Sequence, residues 1–222
     1  MTTDALAAWS QVRSRIDWTS AAGPMPAPVA PIVDGLATWC EEGGRAADVA
    51  RGHRLLAALA LSRTHASCGR PLTCALLTEW QQLVLGLPAV QFRQGDAFAK
   101  GGRERYALTP STQRDFEECL RESADPNVPP ASRAARAYLD VAFYHPFPDG
   151  NARLAMLTLA YVLELEGVRL DQVGPLQTTR YADDLAGASD MAAMVFVLIR
   201  SAHGRATGFG HRERGHRRPS GP

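Results

Sequence analysis

The sequence predicts an all-α bundle built round one helix–loop–helix, with a small β-hairpin as the exception. Three observations predict it. Apolar residues recur at helical spacing in successive segments, each bounded by Pro, Gly or a capping Ser, Thr or Asp. One stretch, 91–109, breaks that pattern with glycines, charges and spaced aromatics. Nine residues, 145–153, gather chemically specialised side chains between two apolar helices. The chain of 222 residues is long enough for one domain with extensions, and its 45% apolar content is ample for a core.

The first helix spans 4–17. Asp4 caps it, and Leu6, Trp9, Val12, Arg13 and Ile16 trace one face. Trp18 pins its end. Residues 23–31 form a proline-rich connector without helix, which sets 1–31 apart from the body at 32–202. A short helix at 34–42 presents Leu36, Trp39 and Cys40. A long one at 45–65 turns Val49, His53, Leu56, Leu59 and Ala60 inward. Pro71 opens a helix that runs to Leu85, carries Leu72, Leu76, Trp80, Leu83 and Val84, and ends at Gly86 and Pro88. Within 91–109, Lys100-Gly101-Gly102-Arg103 reads as a hairpin tip or exposed loop.

Pro110 opens the next helix, with Phe116, Cys119 and Leu120 inward. Ser132 is placed to cap a helix through Tyr144, on which Tyr138, Val141 and Ala142 recur at helical spacing. Pro146 disfavours helical angles for His145 and stops it there. A second apolar helix carries Leu154, Leu157, Thr158, Tyr161, Val162 and Leu165, and Gly167 ends it. Asp183 or Asp184 caps the last helix, whose core residues are Leu185, Met191, Met194, Val195, Leu198 and Ile199. From His203 the chain is Gly- and Arg-rich and too poor in apolar residues to pack, so 203–222 is expected to be disordered.

Composition excludes several classes. A formal net charge of +1 gives no bulk attraction to nucleic acid or membrane. No apolar run approaches a membrane span, and the start lacks a basic-then-apolar signal pattern. Cys40, Cys68, Cys74 and Cys119 are scattered without paired-ligand spacing, which fits reduced thiols in a cytoplasmic protein.

The chemistry lies in His145-Pro146-Phe147-Pro148-Asp149-Gly150-Asn151-Ala152-Arg153. The loop opens a buried helix, whose first N–H groups lack intrahelical partners and whose dipole is positive there. Gly150 and Asn151 can adopt the angles of an anion-binding nest. Arg153, in the first turn, can reach the same phosphate. Asp149 is acidic where phosphate should sit, which makes sense if it holds Mg²⁺ bridging to phosphate oxygens. His145 titrates near neutrality and suits proton removal from a hydroxyl. Base, metal site and phosphate cradle together imply phosphoryl or nucleotidyl transfer.

These residues resemble the signature of the Fic family, His-Pro-Phe-x-Asp/Glu-Gly-Asn-Gly-Arg followed by a second Arg three residues on. Ala152 replaces the last Gly and Met156 the second Arg. The resemblance implies a Fic-like helical bundle that transfers AMP, or another phosphate-containing group, from ATP or another NTP to a hydroxyl acceptor on a protein. It implies His145 as general base, Asp149 as Mg²⁺ ligand, Gly150 and Asn151 as anion loop, Arg153 as phosphate clamp and Phe147 as the loop's inward anchor. Residues 91–109 resemble the family's flap, which aligns the target by strand pairing. Lys100, Arg103 or Arg105 is placed to supply the phosphate charge that Met156 no longer provides. Residues 38–43 match the loose pattern of the family's inhibitory helix. Met156 removes the partner of its glutamate, so Glu42 reads as a solvated charge.

Two other readings stand beside AMP transfer. Doc-type toxins share this loop, lack the second Arg and transfer the γ-phosphate. Loss of that Arg also fits a relic site that binds nucleotide or a partner without catalysis.

Overall fold

The computed structural model describes residues 4–20, 23, 28, 30–45 and 49–214, and among them the chain forms eight α-helices and one two-stranded antiparallel sheet. Helix α7 (Asn151–Leu165) lies at the centre. Helices α6 (Pro130–Tyr144), α3 (Val49–Ser67) and α4 (Cys74–Leu85) pack around it. Helix α8 (Leu185–Arg214) covers α6 from the far side, α2 (Gly35–Arg45) lies on α3, and α5 (Thr112–Arg121) lies on α6. Alanines 131, 134, 135 and 137 are buried, so backbones approach α6 closely on several faces.

Helix α1 (Ala5–Arg15) is tied to this core by a buried carboxylate. Asp140 on α6 is fully buried and accepts from Trp9 Nε1 at 3.0 Å and from Arg13 Nε at 2.7 Å and Nη2 at 3.1 Å. Arg13 also pairs with Glu122, which meets Arg136 at 3.3 Å. Burial alone would lower the basicity of Arg13, but Asp140 more than offsets this and raises it.

The sheet pairs β1 (Ala97–Ala99) with β2 (Glu104–Tyr106) in the register Ala97↔Tyr106, Phe98↔Arg105, Ala99↔Glu104. A 3₁₀ turn, Lys100–Gly102, joins the strands, with Gly101 at φ 67° and Gly102 at φ 86°. Asp4 closes the outer edge of β2 through a parallel bridge to Arg105 and accepts from the Ala107 N–H at 3.1 Å.

Several expectations are corrected. On α3 the buried stripe is Gly52, Leu55, Leu59, Ser62 and Ala66, while Val49 and His53 face out. The helix is apolar on two adjacent stripes, and the one carrying small Gly52 and Ser62 is buried. Ser132 is not a cap. Pro129 precedes the helix and Ser132 lies fully buried in its first turn. Thr73, not Pro71, starts α4, its hydroxyl accepting from the Leu76 N–H at 3.1 Å.

The tail expected to be disordered from 203 continues as helix through Arg214. Ala202 is fully buried, Ala206 packs on the core, and Arg205 pairs with Asp171 at 2.8 Å. Residues 215–222 and most of the proline-rich connector lie outside the described residues. The expectation that no apolar run approaches a membrane span is also corrected. Within Leu185–Gly208, α8 has a window of mean hydropathy 1.5 and the length to cross a membrane. The apolar run Met191 to Ile199 dominates that window, and the run itself is far shorter than a membrane span. Its buried residues, including Met191, Ala192, Val195 and Ile199, pack into the core.

Candidate active site

The loop between α6 and α7 is held from inside. Phe147 is fully buried. Asn151 is 2% exposed, and its amide closes a ring with the Phe147 backbone. Its Oδ1 accepts from the Phe147 N–H at 3.0 Å, and its Nδ2 donates to the Phe147 carbonyl at 2.7 Å. The side chain of Asn151 is therefore committed to loop shape, and only its N–H is left for an anion. Gly150 is required twice over. Its φ is +79°, and a Cβ there would lie 2.6 Å from Gln81 Nε2, which donates to the Asp149 carbonyl.

Asn151→Ala should destabilise the fold by about 1–3 kcal/mol, since it strands two buried Phe147 groups. Chemical denaturation of the two proteins measures this, and an unchanged midpoint would dismiss the ring as a stabilising contact.

His145 ends α6 in the left-handed region, φ 50° and ψ 54°. That turn brings its Nδ1 to 3.0 Å from the Ala142 carbonyl. A carbonyl only accepts, so Nδ1 carries the proton and Nε2 keeps its lone pair. Tyr106 of β2 stacks on the imidazole, ring centroids 4.8 Å apart and 9° from parallel. Burial holds His145 below its ordinary pKa of 6.5, with Arg93 and Lys100 adding to the effect.

The hairpin is fastened to this loop by residues that sequence reasoning did not single out. Arg93 is 4% exposed. Its N–H donates to the Pro146 carbonyl at 2.9 Å, and its guanidinium donates to the carbonyls of Gly95 at 2.7 Å, Ala107 at 3.0 Å and Tyr144 at 3.4 Å. The Tyr106 hydroxyl donates to Glu104, which also accepts from Lys100 Nζ at 2.6 Å and from the Ala182 N–H at 3.0 Å. Tyr106 was visible only as a spaced aromatic, and Gln81 and Arg93 act across long sequence separations that leave no local pattern.

Asp149 turns its carboxylate outward beside the N-terminus of α7. It accepts from the Gly150 N–H at 2.6 Å and lies 3.4 Å from Arg153 Nη2. One exposed carboxylate beside a helix N-terminus suits a Mg²⁺ ion that takes its remaining ligands from phosphate and water. Of the other expected phosphate contacts, Lys100 is bound to Glu104 and to the Arg180 carbonyl, and Arg103 lies 4.3 Å over the Tyr181 ring. Arg105 pairs with Asp96 at 3.3 Å. Glu42 is exposed on α2, at the rim of a cavity shared with Thr38 and Gln177.

Two environments adjoin the loop that carries His145. On one side is a cavity of about 270 Å³ lined by Tyr106, Tyr138, Phe143, Ala152 and the 177–180 segment. On the other is Arg153, about 100° round the helix from Ala152, with Arg51 and Arg54 of α3 close enough to oppose its charge.

Residues 71–163 match the model of the Fic/DOC family. Over these residues the chain is similar to the Fic/DOC family. The family is one of transferases that generally bind nucleotide and act on protein targets. Two solved structures show the same fold. Fic-1 (residues 134–508) from C. elegans superposes with a TM-score of 0.53 at 18% identity, over 81% of this chain and 58% of that one. A Fic family protein from Desulfovibrio desulfuricans G20 gives 0.52 at 14% identity, over 90% and 63%. The chain thus spans less than two thirds of either relative. No curated protein matches the sequence. The matched segment runs from the start of α4 to the end of α7 and contains both the hairpin and the loop.

Proposed function

We propose that this chain transfers AMP, or another nucleoside monophosphate, from a nucleoside triphosphate to a hydroxyl group of a protein. The observation that carries the reading is the position of His145. With its Nδ1 committed to the Ala142 carbonyl, His145 lines an aromatic cavity with room for a base and ribose and stands on the loop that opens α7, whose first turn carries Arg153. A nucleotide laid across the loop would put its α-phosphate over the first N–H groups of α7, where they and Arg153 oppose the charge.

In this reading His145 Nε2 takes the proton of the acceptor hydroxyl as its oxygen bonds to the α-phosphorus. Pyrophosphate departs with the electron pair of the broken bond. The Asn151 N–H and the Arg153 guanidinium stabilise the charge on the phosphate oxygens, the Gly150 N–H being held by Asp149. Asp149 would hold Mg²⁺, which supplies further charge compensation to those oxygens when bound. Tyr106 keeps the imidazole plane fixed, so the base needs no reorganisation.

A protein acceptor is supported by the hairpin. Among the described residues β1 pairs only with β2, and Asp4 already bridges β2. The free edge of β1, with Phe98 61% exposed, suits an added target strand.

The test is intact mass after incubation of the chain with Mg²⁺, each of the four NTPs in turn, and a mixture of candidate acceptor proteins. A nucleoside-monophosphate increment on chain or acceptor supports the reading and names the base. A phosphate-sized increment replaces it with the Doc-type reaction. Absence of both increments and of nucleotide binding leaves a relic binding module.

A further inference from the structure

A buried carboxylate beside the base takes no direct part in the transfer. Glu104 of β2 is 6% exposed. Its Oε2 accepts from the Tyr106 hydroxyl and from Lys100 Nζ at 2.6 Å, and its Oε1 accepts from the Ala182 N–H at 3.0 Å. Lys100 Nζ also donates to the Arg180 carbonyl and stands 4.6 Å over the Tyr181 ring. One ion pair thus engages a carbonyl and an N–H of the 180–182 segment together with a hydroxyl of β2.

The protonation of this group follows from its partners. Burial pushes the Glu104 carboxyl up, but the hydrogen bonds from Lys100, Tyr106 and Ala182 more than offset this and hold it below the usual carboxylate range. Ionised, it can only accept, so the Tyr106 hydroxyl donates to it. The arrangement is kept against backbone strain. Lys100, at the turn of the hairpin, sits at φ 55°, a left-handed conformation uncommon outside glycine. Such strain persists only where surrounding contacts over-determine it.

Tyr106 connects the ion pair to the base. It is 1% exposed, and its ring lies against the His145 imidazole. Stacking restrains the tilt of the two rings but lets them slide in their planes, and the hydroxyl, held at the far end, stops that slide. Lys100, Tyr106 and Arg180 all line the cavity that His145 faces, so the same ion pair closes the cavity wall against the hairpin.

We propose that Glu104 is a positioning residue for His145, anchoring through the Tyr106 hydroxyl the ring that holds the imidazole. This rests on the transferase reading above. The hairpin whose free edge suits a target strand thereby also sets the base.

The experiment compares wild type with Glu104→Gln, Tyr106→Phe and the double variant, by proton NMR of the imidazole and by single-turnover transfer. Glu104→Gln keeps the size, but its amide accepts at only one atom while three donors face it. Thermal melts establish that each variant is folded, and His145→Ala identifies the His145 signal. A stacked ring shifts the carbon-bound imidazole protons upfield, and each single variant should lose part of that displacement. Glu104→Gln should slow transfer about ten- to a hundredfold, the cost of a misplaced reacting group. Nucleotide affinity should be roughly unchanged, since Glu104 does not line the cavity. The double variant should be little slower than Glu104→Gln, because both substitutions break the same bond. A displacement or a rate kept at the wild-type value in either folded variant overturns the proposal, as do additive losses. Should Glu104→Gln fail to fold, Tyr106→Phe decides, since it removes one hydroxyl from an intact ring. A wild type that transfers no nucleotide removes the transferase reading and this inference with it. A wild type that transfers, with variants that keep the displacement or the rate, removes this inference alone.

Discussion

Replacing His145 with Ala is expected to lower the rate of transfer by about 10²–10⁴-fold, the usual contribution of a positioned general base. Nucleotide affinity should be roughly unchanged, because the phosphate contacts come from the loop N–H groups and Arg153. The imidazole is pre-set for one task. The Ala142 carbonyl fixes the proton on Nδ1, and Tyr106 holds the ring plane. Single-turnover rates and calorimetric affinities of the two proteins separate the roles. A variant that binds nucleotide and transfers at the wild-type rate would falsify the assignment of His145 as base.

The pH dependence follows from the same site. Burial disfavours the imidazolium, so His145 titrates below its ordinary pKa of 6.5. The base stays neutral and competent at pH 6.5, and the acid limb of the rate profile falls at lower pH. The same shift acts on stability. The unfolded state takes up the proton first as pH falls, so this contribution is complete above about pH 6.5 and is lost as pH drops through the folded-state value. A rate already half lost at or above pH 6.5 would contradict the buried, neutral imidazole.

Asp140→Ala should lower unfolding free energy by about 3–5 kcal/mol, the cost of removing one partner from a buried ion pair. The substitution strands the Trp9 indole N–H and leaves Arg13, largely buried, with only Glu122. Its effect should also reach the active site. Helix α1 begins at Asp4, which holds β2 through Arg105 and Ala107, and β2 carries Tyr106 onto His145. A loosened α1 therefore releases the hairpin. Denaturant titration measures the stability loss, and proteolysis between residues 91 and 109 reports the hairpin. A midpoint close to wild type would show that Arg13 and Trp9 find other partners at little cost.

Much of this was legible in the residues. The helix–loop–helix was readable because Pro146 and Gly150 dictate local backbone angles and the flanking helices carry strong 3.6-residue periodicity. The hairpin was readable because two glycines in a charged stretch rule out helix. The stripe on α3 was misread because an alanine-rich helix is apolar on more than one face, and its neighbours choose among them. Asn151 was assigned to the anion, yet its amide holds Phe147. A sequence names the groups a side chain offers, not which partner claims them.

The sequence by itself determined the succession of helices, the turn that ends α6 at His145, and the family whose signature the loop resembles. Each follows from local backbone preference or from a motif contiguous in the chain. Only the tertiary structure decided that Tyr106 fixes the base, that Arg93 fastens the hairpin to Pro146, and that Lys100 reaches the Arg180 carbonyl. It alone placed the arginines of α3 beside Arg153. Those contacts join residues about 40 to 100 positions apart. Electrostatics and stacking act through space, so a pattern confined to neighbours along the chain carries no trace of them.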